Sequence, residues 1–292
     1  MDKFLLDYIC LSILQTSIKS YTSLSGGDIS QVYLLEGKSQ KYLLKVHKGA
    51  RAKKMFRAEK EGLKSIAKTN TIRTPEVYSL DKHEGDSLLL MEFITTKNPA
   101  QKDYENLGTQ LALLHQHTTS EFGFKEANFI GSLPQSNEKH KDWTLFYIQE
   151  RLLPQLSLAK TKSLLSDKEV PSFDRLYKLC SHLFPDVKPS LLHGDLWAGN
   201  YLIASDGSPY LIDPAVYYGH SEVDLAMSRL FGGFSEDFYS GYHSIIPELS
   251  GHQDRNKLYQ LYYLLVHLNL FGKSYYSAVK RILDYFFLKR KF

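Results

Sequence analysis

A chain of 292 residues is long for a single hydrophobic core and points to one large domain or two packed ones. With 43% hydrophobic and 23% charged residues, and with 20 Tyr and 16 Phe, its composition is that of a folded globular protein rather than a disordered one. A net charge of +4, from 36 basic and 32 acidic side chains, is too small and scattered for a nucleic-acid surface, and Cys10 and Cys180 lack the CxxC spacing of a zinc knuckle and argue against a disulfide framework.

Taken in chain order, Phe4, Leu5, Tyr8, Ile9, Ser12 and Ile13 recur at helical spacing, which predicts a helix over the first twenty residues. The apolar run 4–14 is broken by Asp7, is too short to cross a bilayer and is followed by no small-residue cleavage site. No membrane partner is expected, and the chain reads as cytoplasmic. A turn at Ser25-Gly26-Gly27-Asp28 leads into strands over 31–35 and 41–47, a helix over 52–68, and strands over 77–80 and 88–94. The basic stretch with Lys45, Lys48, Arg51, Lys53 and Lys54 reads either as a solvated loop and helix start or as a phosphate-attracting surface. Beyond residue 95 the pattern turns helical, with helices over 104–114, 143–153 and 173–183. It is interrupted by a hairpin over 201–204 and 210–213 around Asp206-Gly207, and it is helical again after Glu222. The coarse architecture is a β-rich unit, 1–94, followed by a mostly helical unit, 95–292.

The densest chemical signal is Leu192-His193-Gly194-Asp195-Leu196-Trp197-Ala198-Gly199-Asn200, followed by Leu211-Ile212-Asp213-Pro214. Phosphoryl transfer from ATP needs a group that orients the attacking hydroxyl and accepts its proton, and oxygen ligands for Mg²⁺. Asp195 suits the first role, Asn200 can turn its amide oxygen toward a metal, and Asp213 adds the carboxylate that magnesium prefers. Each residue alone is an ordinary turn residue or helix cap. In this order and spacing they match a kinase catalytic loop and the metal-binding Asp after it. The expected fold is therefore α+β, two-lobed and protein-kinase-like, with a small β-rich N-terminal lobe and a larger, mostly helical C-terminal lobe. Gly194 and Pro214 replace the Arg and Phe found in protein kinases, which points away from protein substrates and activation-loop control.

An ATP clamp is predicted from the small lobe. Strand alternation sets Tyr42, Leu44 and Val46 on one face and Lys45 with Leu43 on the other. A lysine inside an apolar strand needs a partner. Glu59 supplies one, because Phe56, Glu59, Leu63 and Ile66 share a helical stripe, whereas Glu61 lies off it. The alternative for Lys45 is snorkelling at a strand edge. Gly26 and Gly27 with Ser30 form either a turn over the phosphates or a plain hairpin turn. Glu92, Phe93 and Ile94 end a buried strand where backbone groups pair with adenine.

Further segments extend the pattern: Gly26-Gly27-Asp28-Ile29-Ser30, Met55-Phe56-Arg57-Ala58-Glu59, Leu107 to His115, Asn128 to Gln135, the Trp197 loop, Asp213-Pro214-Ala215-Val216-Tyr217-Tyr218-Gly219-His220, Glu222 to Met227, Leu230 to Phe234, and His267 to Gly272. Over nearly the whole chain the sequence resembles the fructosamine/ketosamine 3-kinases, relatives of the aminoglycoside and choline phosphotransferases. The resemblance implies phosphorylation of the sugar C3 hydroxyl of small-molecule or protein-bound ketosamines of the ribulosamine, erythrulosamine or fructosamine type. A phosphate at C3 sits beside the C2 carbonyl, so elimination becomes easy and the amine is released, which links the family to deglycation. Carried over, Asp195 is the proton acceptor, Asn200 and Asp213 hold the metal, Lys45 and Glu59 clamp the nucleotide, and Glu92 to Ile94 line the adenine site. Some members carry a redox-switching Cys in the glycine loop; here Asp28 stands there, and no such switch is expected. Trp197 reads either as an apolar wall for the sugar-amine or as core. His267 reads either as a satisfied core histidine or as a substrate contact. The rival reading is another small-molecule kinase of the same superfold, for an aminoglycoside, choline or homoserine. The oligomeric state is left open.

Overall fold

The computed structural model describes residues 3–24 and 30–288; Gly26, Gly27 and Asp28 lie outside them. Five antiparallel strands, β1 (Ile18–Leu24), β2 (Gln31–Gly37), β3 (Lys41–His47), β4 (Val77–His83) and β5 (Asp86–Glu92), form one sheet in the order β1-β2-β3-β5-β4. The helix α1 (Lys3–Tyr8), continued by a π-helical stretch Ile9–Leu14, covers one face, where Leu5 and Ile9 meet Leu35, Leu44, Val46, Leu88 and Leu90. The helix α2 (Ala52–Ala67) covers the other, where Phe56 and Leu63 meet Leu89 and Met91. A strand covered on both faces has no polar side to show. That is why β5 reads as the unbroken apolar run Leu88-Leu89-Leu90-Met91, each burial stabilising by roughly 1.5–3 kcal/mol. The same alternation sends Lys45 toward α2, away from Leu44 and Val46.

Two elements depart from the sequence expectation. The first twenty residues are not one helix: α1 and its π continuation end before Gln15, which has φ 51°, and β1 follows. β1 is a largely exposed edge strand, so Lys19 to Ser23 carry no buried alternation that would reveal it. β5 ends at Glu92 rather than Ile94; Phe93 and Ile94 leave the sheet, and Ile94 packs with Ala204 and Tyr210.

The remainder is mostly helical: α3 (Gln101–His115), α4 (Trp143–Phe146), α5 (Leu153–Thr161), α6 (Phe173–Leu183), α7 (Glu222–Leu230), α8 (Glu236–His243), α9 (His252–Phe271) and α10 (Tyr276–Phe287). Short strand pairs interrupt it: β6 (Asn128–Ile130) with β7 (Leu133–Gln135), β8 (Ser190–Leu192) with β11 (Tyr217–Gly219), and β9 (Tyr201–Ile203) with β10 (Pro209–Leu211). α9 is buried nearly all round at the centre of the main core, against residues of α4, α6, α7 and α10. α3 and α8 cross in close contact because glycines stand at the crossing. A Cβ on Gly108 would lie 2.0 Å from the Phe238 carbonyl oxygen, and one on Gly241 would lie 2.2 Å from that of Glu105. Arg151 is completely buried, its guanidinium 3.9 Å from the Tyr217 ring centroid and bonded to Ser136 O at 2.6 Å and Asn137 Oδ1 at 2.7 Å. Cys10 and Cys180 are free thiols. Among the described residues no helix is long and apolar enough to cross a membrane.

Candidate active site

The loop that follows β8 is held from beneath by one carboxylate. Asp224, fully buried in the first turn of α7, accepts the backbone N–H of His193 at 2.7 Å and of Gly194 at 2.9 Å. It also accepts the Nε2–H of His115 at 3.1 Å, so His115 Nδ1 takes the Tyr242 hydroxyl hydrogen at 2.8 Å. The His193 ring closes the loop from within. Its Nε2–H donates to Ile212 O at 2.8 Å, which leaves Nδ1 to accept the N–H of Asp195 at 3.2 Å. Burial holds the His193 pKa below the usual imidazole value, in keeping with this neutral tautomer. Gly194, at φ 83°, passes so close to the 213–216 segment that a Cβ would stand 2.2 Å from Ala215 O.

Asn200 supports Asp195 directly, its Nδ2 donating to the Asp195 backbone oxygen at 2.8 Å and to Oδ2 at 3.3 Å. Both bonds use the nitrogen, and this orientation leaves Asn200 Oδ1 for a cation. Burial first, then the negative charges of Asp213 and Asp224, push the Asp195 carboxyl up to about 7, against the lowering effect of Asn200. Asp213 follows β10 in the left-handed region, at φ 52°, and its side chain is 45% exposed to the cleft. A polar cluster holds the segment beyond it: Asn128 Nδ2 donates to Val216 O at 2.7 Å, and Gln135 Nε2 donates to Ala215 O at 3.3 Å.

Across the cleft, Lys45 is only 9% exposed and donates to Glu59 Oε1 at 2.7 Å and to Asp213 Oδ1. Burial alone would lower the lysine pKa, but Asp213 and Glu59 outweigh it and raise the value above the ordinary one. Burial likewise raises Glu59, against the pull of Lys45. An ion pair this deep persists because each partner neutralises the other; either one alone would be left uncompensated.

Ser30, Lys45, Glu59, Asp195, Trp197, Asn200 and Asp213 line one cleft of about 490 Å³. Trp197 is not core: it is 42% exposed at the rim, its indole folded over Gly199, where a Cβ would lie 2.3 Å from the ring. Glu92, Phe93 and Ile94 are not in this lining; they lead into the crossing where Ser205 N–H bonds Thr95 O at 2.9 Å and Lys97 N–H bonds Ile203 O at 3.1 Å. His267 is not brought into the lining either. Its Nδ1–H donates to Tyr263 O at 2.8 Å, and its ring lies among Phe231, Phe271 and Tyr275, with centroids 4.8–5.5 Å apart. Phe129 in β6 and Gly131 in the turn between β6 and β7 also line the cleft, as do Val32, Met55 and Ile212. Reading the residues for chemistry passes over these, because an apolar or glycine wall carries no titratable group.

The model of the fructosamine kinase family matches residues 9–289. This chain belongs to the fructosamine kinase family. The ketosamine-3-kinase of Mus musculus is 36% identical over 298 residues, covering 92% of this chain and 95% of its own. The chloroplastic protein-ribulosamine 3-kinase of Oryza sativa subsp. indica is 36% identical over 277 residues, covering 92% and 79%. An aminoglycoside phosphotransferase solved in a ternary complex with AMP-PNP and hygromycin B superimposes with a TM-score of 0.64 over 99% of this chain and 100% of its own, at 14% identity. That likeness shows the fold: a two-lobed, kinase-like α+β architecture.

Proposed function

We propose that this member of the fructosamine kinase family transfers the γ-phosphoryl group of ATP to the C3 hydroxyl of a ketosamine. The observation that carries the proposal is the convergence of Lys45, paired with Glu59 at 2.7 Å, and Asp213 on the cleft that holds Asp195 and Asn200. In the bound state Lys45, steadied by Glu59, meets the α- and β-phosphates. Val32 and Ile212 flank the adenine, whose edge pairs with the backbone of Glu92 to Ile94, and Ser30 faces the phosphates. The donor set suits magnesium, since the Asp213 carboxylate and the Asn200 amide oxygen are both hard oxygen ligands. When bound, the ion neutralises charge on the phosphates.

Asp195 orients the C3 hydroxyl and accepts its proton as the oxygen attacks the γ-phosphorus; the Asn200 amide keeps the carboxylate aimed. Trp197 offers a flat apolar wall at the rim to the sugar or its amine. The product carries phosphate next to the C2 carbonyl. Loss of a C1 proton gives the enol, which expels C3 phosphate, and hydrolysis then frees the amine, so deglycation is the cellular role that fits. The relatives named above, a ketosamine-3-kinase and a protein-ribulosamine 3-kinase, support the substrate class. ATP consumption with ribulose- and fructose-modified lysine, set against choline, homoserine and aminoglycosides, tests the proposal. Turnover confined to the second group would replace the ketosamine assignment.

A further inference from the structure

The basic residues Arg51, Lys53, Lys54 and Arg57 at the start of α2 play no part in the cleft chemistry described above, and their placement is costly. Arg51 is the N-cap residue of α2, and Lys53, Lys54 and Arg57 follow within two turns, with no acidic residue in the first turn. Cations at a helix N-terminus oppose the helix dipole. Arg51, Lys54 and Arg57 are exposed, and none forms an ion pair among the described residues, whereas Lys125 opposite is already bonded to Glu61 at 2.6 Å. The three line a groove of about 480 Å³ together with Phe129, Pro134, the Lys125–Glu61 pair and the lone carboxylate of Glu126, so that cations outnumber anions in its lining. Ala58 and Phe129 line both this groove and the catalytic cleft, so the two spaces adjoin.

We infer that this groove docks an acidic segment of the protein that carries the ketosamine, a reading that rests on the function proposed above. A sugar joined to a lysine reaches Asp195 on that residue's flexible four-carbon stem, which leaves the carrier's backbone at the cleft mouth. The backbone then continues past Phe129, and glutamates or aspartates flanking the modified lysine meet Arg51, Lys54 and Arg57. The charge pattern that is unfavourable within the helix becomes complementary to this partner, steering its approach and selecting among modified sites.

The test uses three substrates: free ribulosyl-lysine, a peptide with ribulosyl-lysine between glutamates, and the same peptide with glutamines. The Glu peptide is expected to exceed the Gln peptide about tenfold in kcat/KM, the scale of three exposed ion pairs, with the gap narrowing as salt is added. The triple variant R51E/K54E/R57E should erase or invert that gap and leave kcat/KM for free ribulosyl-lysine unchanged. Its Tm should rise, since acidic residues replace cations at the helix start. Equal values for the two peptides in the parent would overturn the inference, as would a triple variant that weakens all three substrates alike or raises the KM for ATP instead. A lower Tm would overturn the argument from charge placement. Turnover of free ribulosyl-lysine without peptide discrimination leaves the kinase reading standing and removes only the docking groove; no turnover of any of the three removes both.

Discussion

Replacing Asp224 by asparagine separates the support of the catalytic loop from its chemistry. The two side chains have the same shape, but the amide would offer one oxygen and one NH₂ where the loop presents two N–H donors, from His193 and Gly194. One donor therefore loses its acceptor and faces another donor. An orphaned buried N–H costs about 1–3 kcal/mol, and bonds to a charged acceptor are individually stronger than neutral ones. The expected loss is about 3 kcal/mol of stability, or several degrees in Tm for a chain of this size. Because His193 also positions the Asp195 N–H, at 3.2 Å, the damage should reach the base. We expect kcat to fall by about 10²-fold while the affinity for ATP stays within about threefold, since Lys45 and Glu59 stand on β3 and α2. Steady-state kinetics with a ribulose-modified lysine, together with thermal melts, read both quantities. A variant with a lowered Tm and an unchanged kcat would show that Asp224 holds the fold and not the base, and would refute this reasoning.

Three further predictions follow from the same geometry. Asp213→Ala should weaken Mg·ATP affinity as well as turnover, read by titrating activity against magnesium; identical metal dependence in variant and parent would remove Asp213 from the metal site. Glu59→Gln leaves Lys45 bonded but removes one of its two neutralising carboxylates, and should raise the KM for ATP about tenfold; an unchanged KM would show that Asp213 alone suffices to place the lysine. His220, buried and bonded through Nδ1 to the Tyr259 hydroxyl at 2.7 Å, has its pKa lowered to about 3, by burial above all. Below pH 6.5 the unfolded chain takes up this proton and the folded chain does not, so stability falls with pH down to about 3. The slope is about 1.4 kcal/mol per pH unit, or about 2 kcal/mol between pH 6.5 and 5. Denaturant unfolding at these two values should show His220→Gln lacking that share of the loss, and parallel losses in variant and parent would contradict it.

How much of this could be read from the residues depended on the range over which each feature is encoded. Lys45 and Glu59 were legible because period-two alternation and a helical stripe each assign a face, and two faces that meet make a pair. Asp195, Asn200 and Asp213 were legible because they lie within nineteen residues, and the turns between them carry their own sequence chemistry. The support beneath them was only partly so. Asp224 falls in a recognisable run, but its bond to His115 spans 109 positions, and the Tyr242 link to His115 spans 127. Nothing local to either residue announces such a contact. Arg151 is the sharper case: an arginine in the last turn of a helix reads as surface, and its burial is made tolerable by the converging Tyr217 and Phe146 rings, the Ser136 carbonyl and the Asn137 side chain. The edge strand β1 was hidden for the opposite reason, since a strand that buries little leaves no periodic trace.

The most direct measurement is the pair kcat and ATP affinity for Asp195→Ala with a ribulose- or fructose-modified lysine as acceptor. With the proton acceptor removed and the Lys45 clamp intact, turnover should drop by roughly 10²- to 10⁴-fold while nucleotide binding persists. Turnover equal to that of the parent would mean that the hydroxyl is activated elsewhere, and that the convergence on this cleft is not the catalytic one.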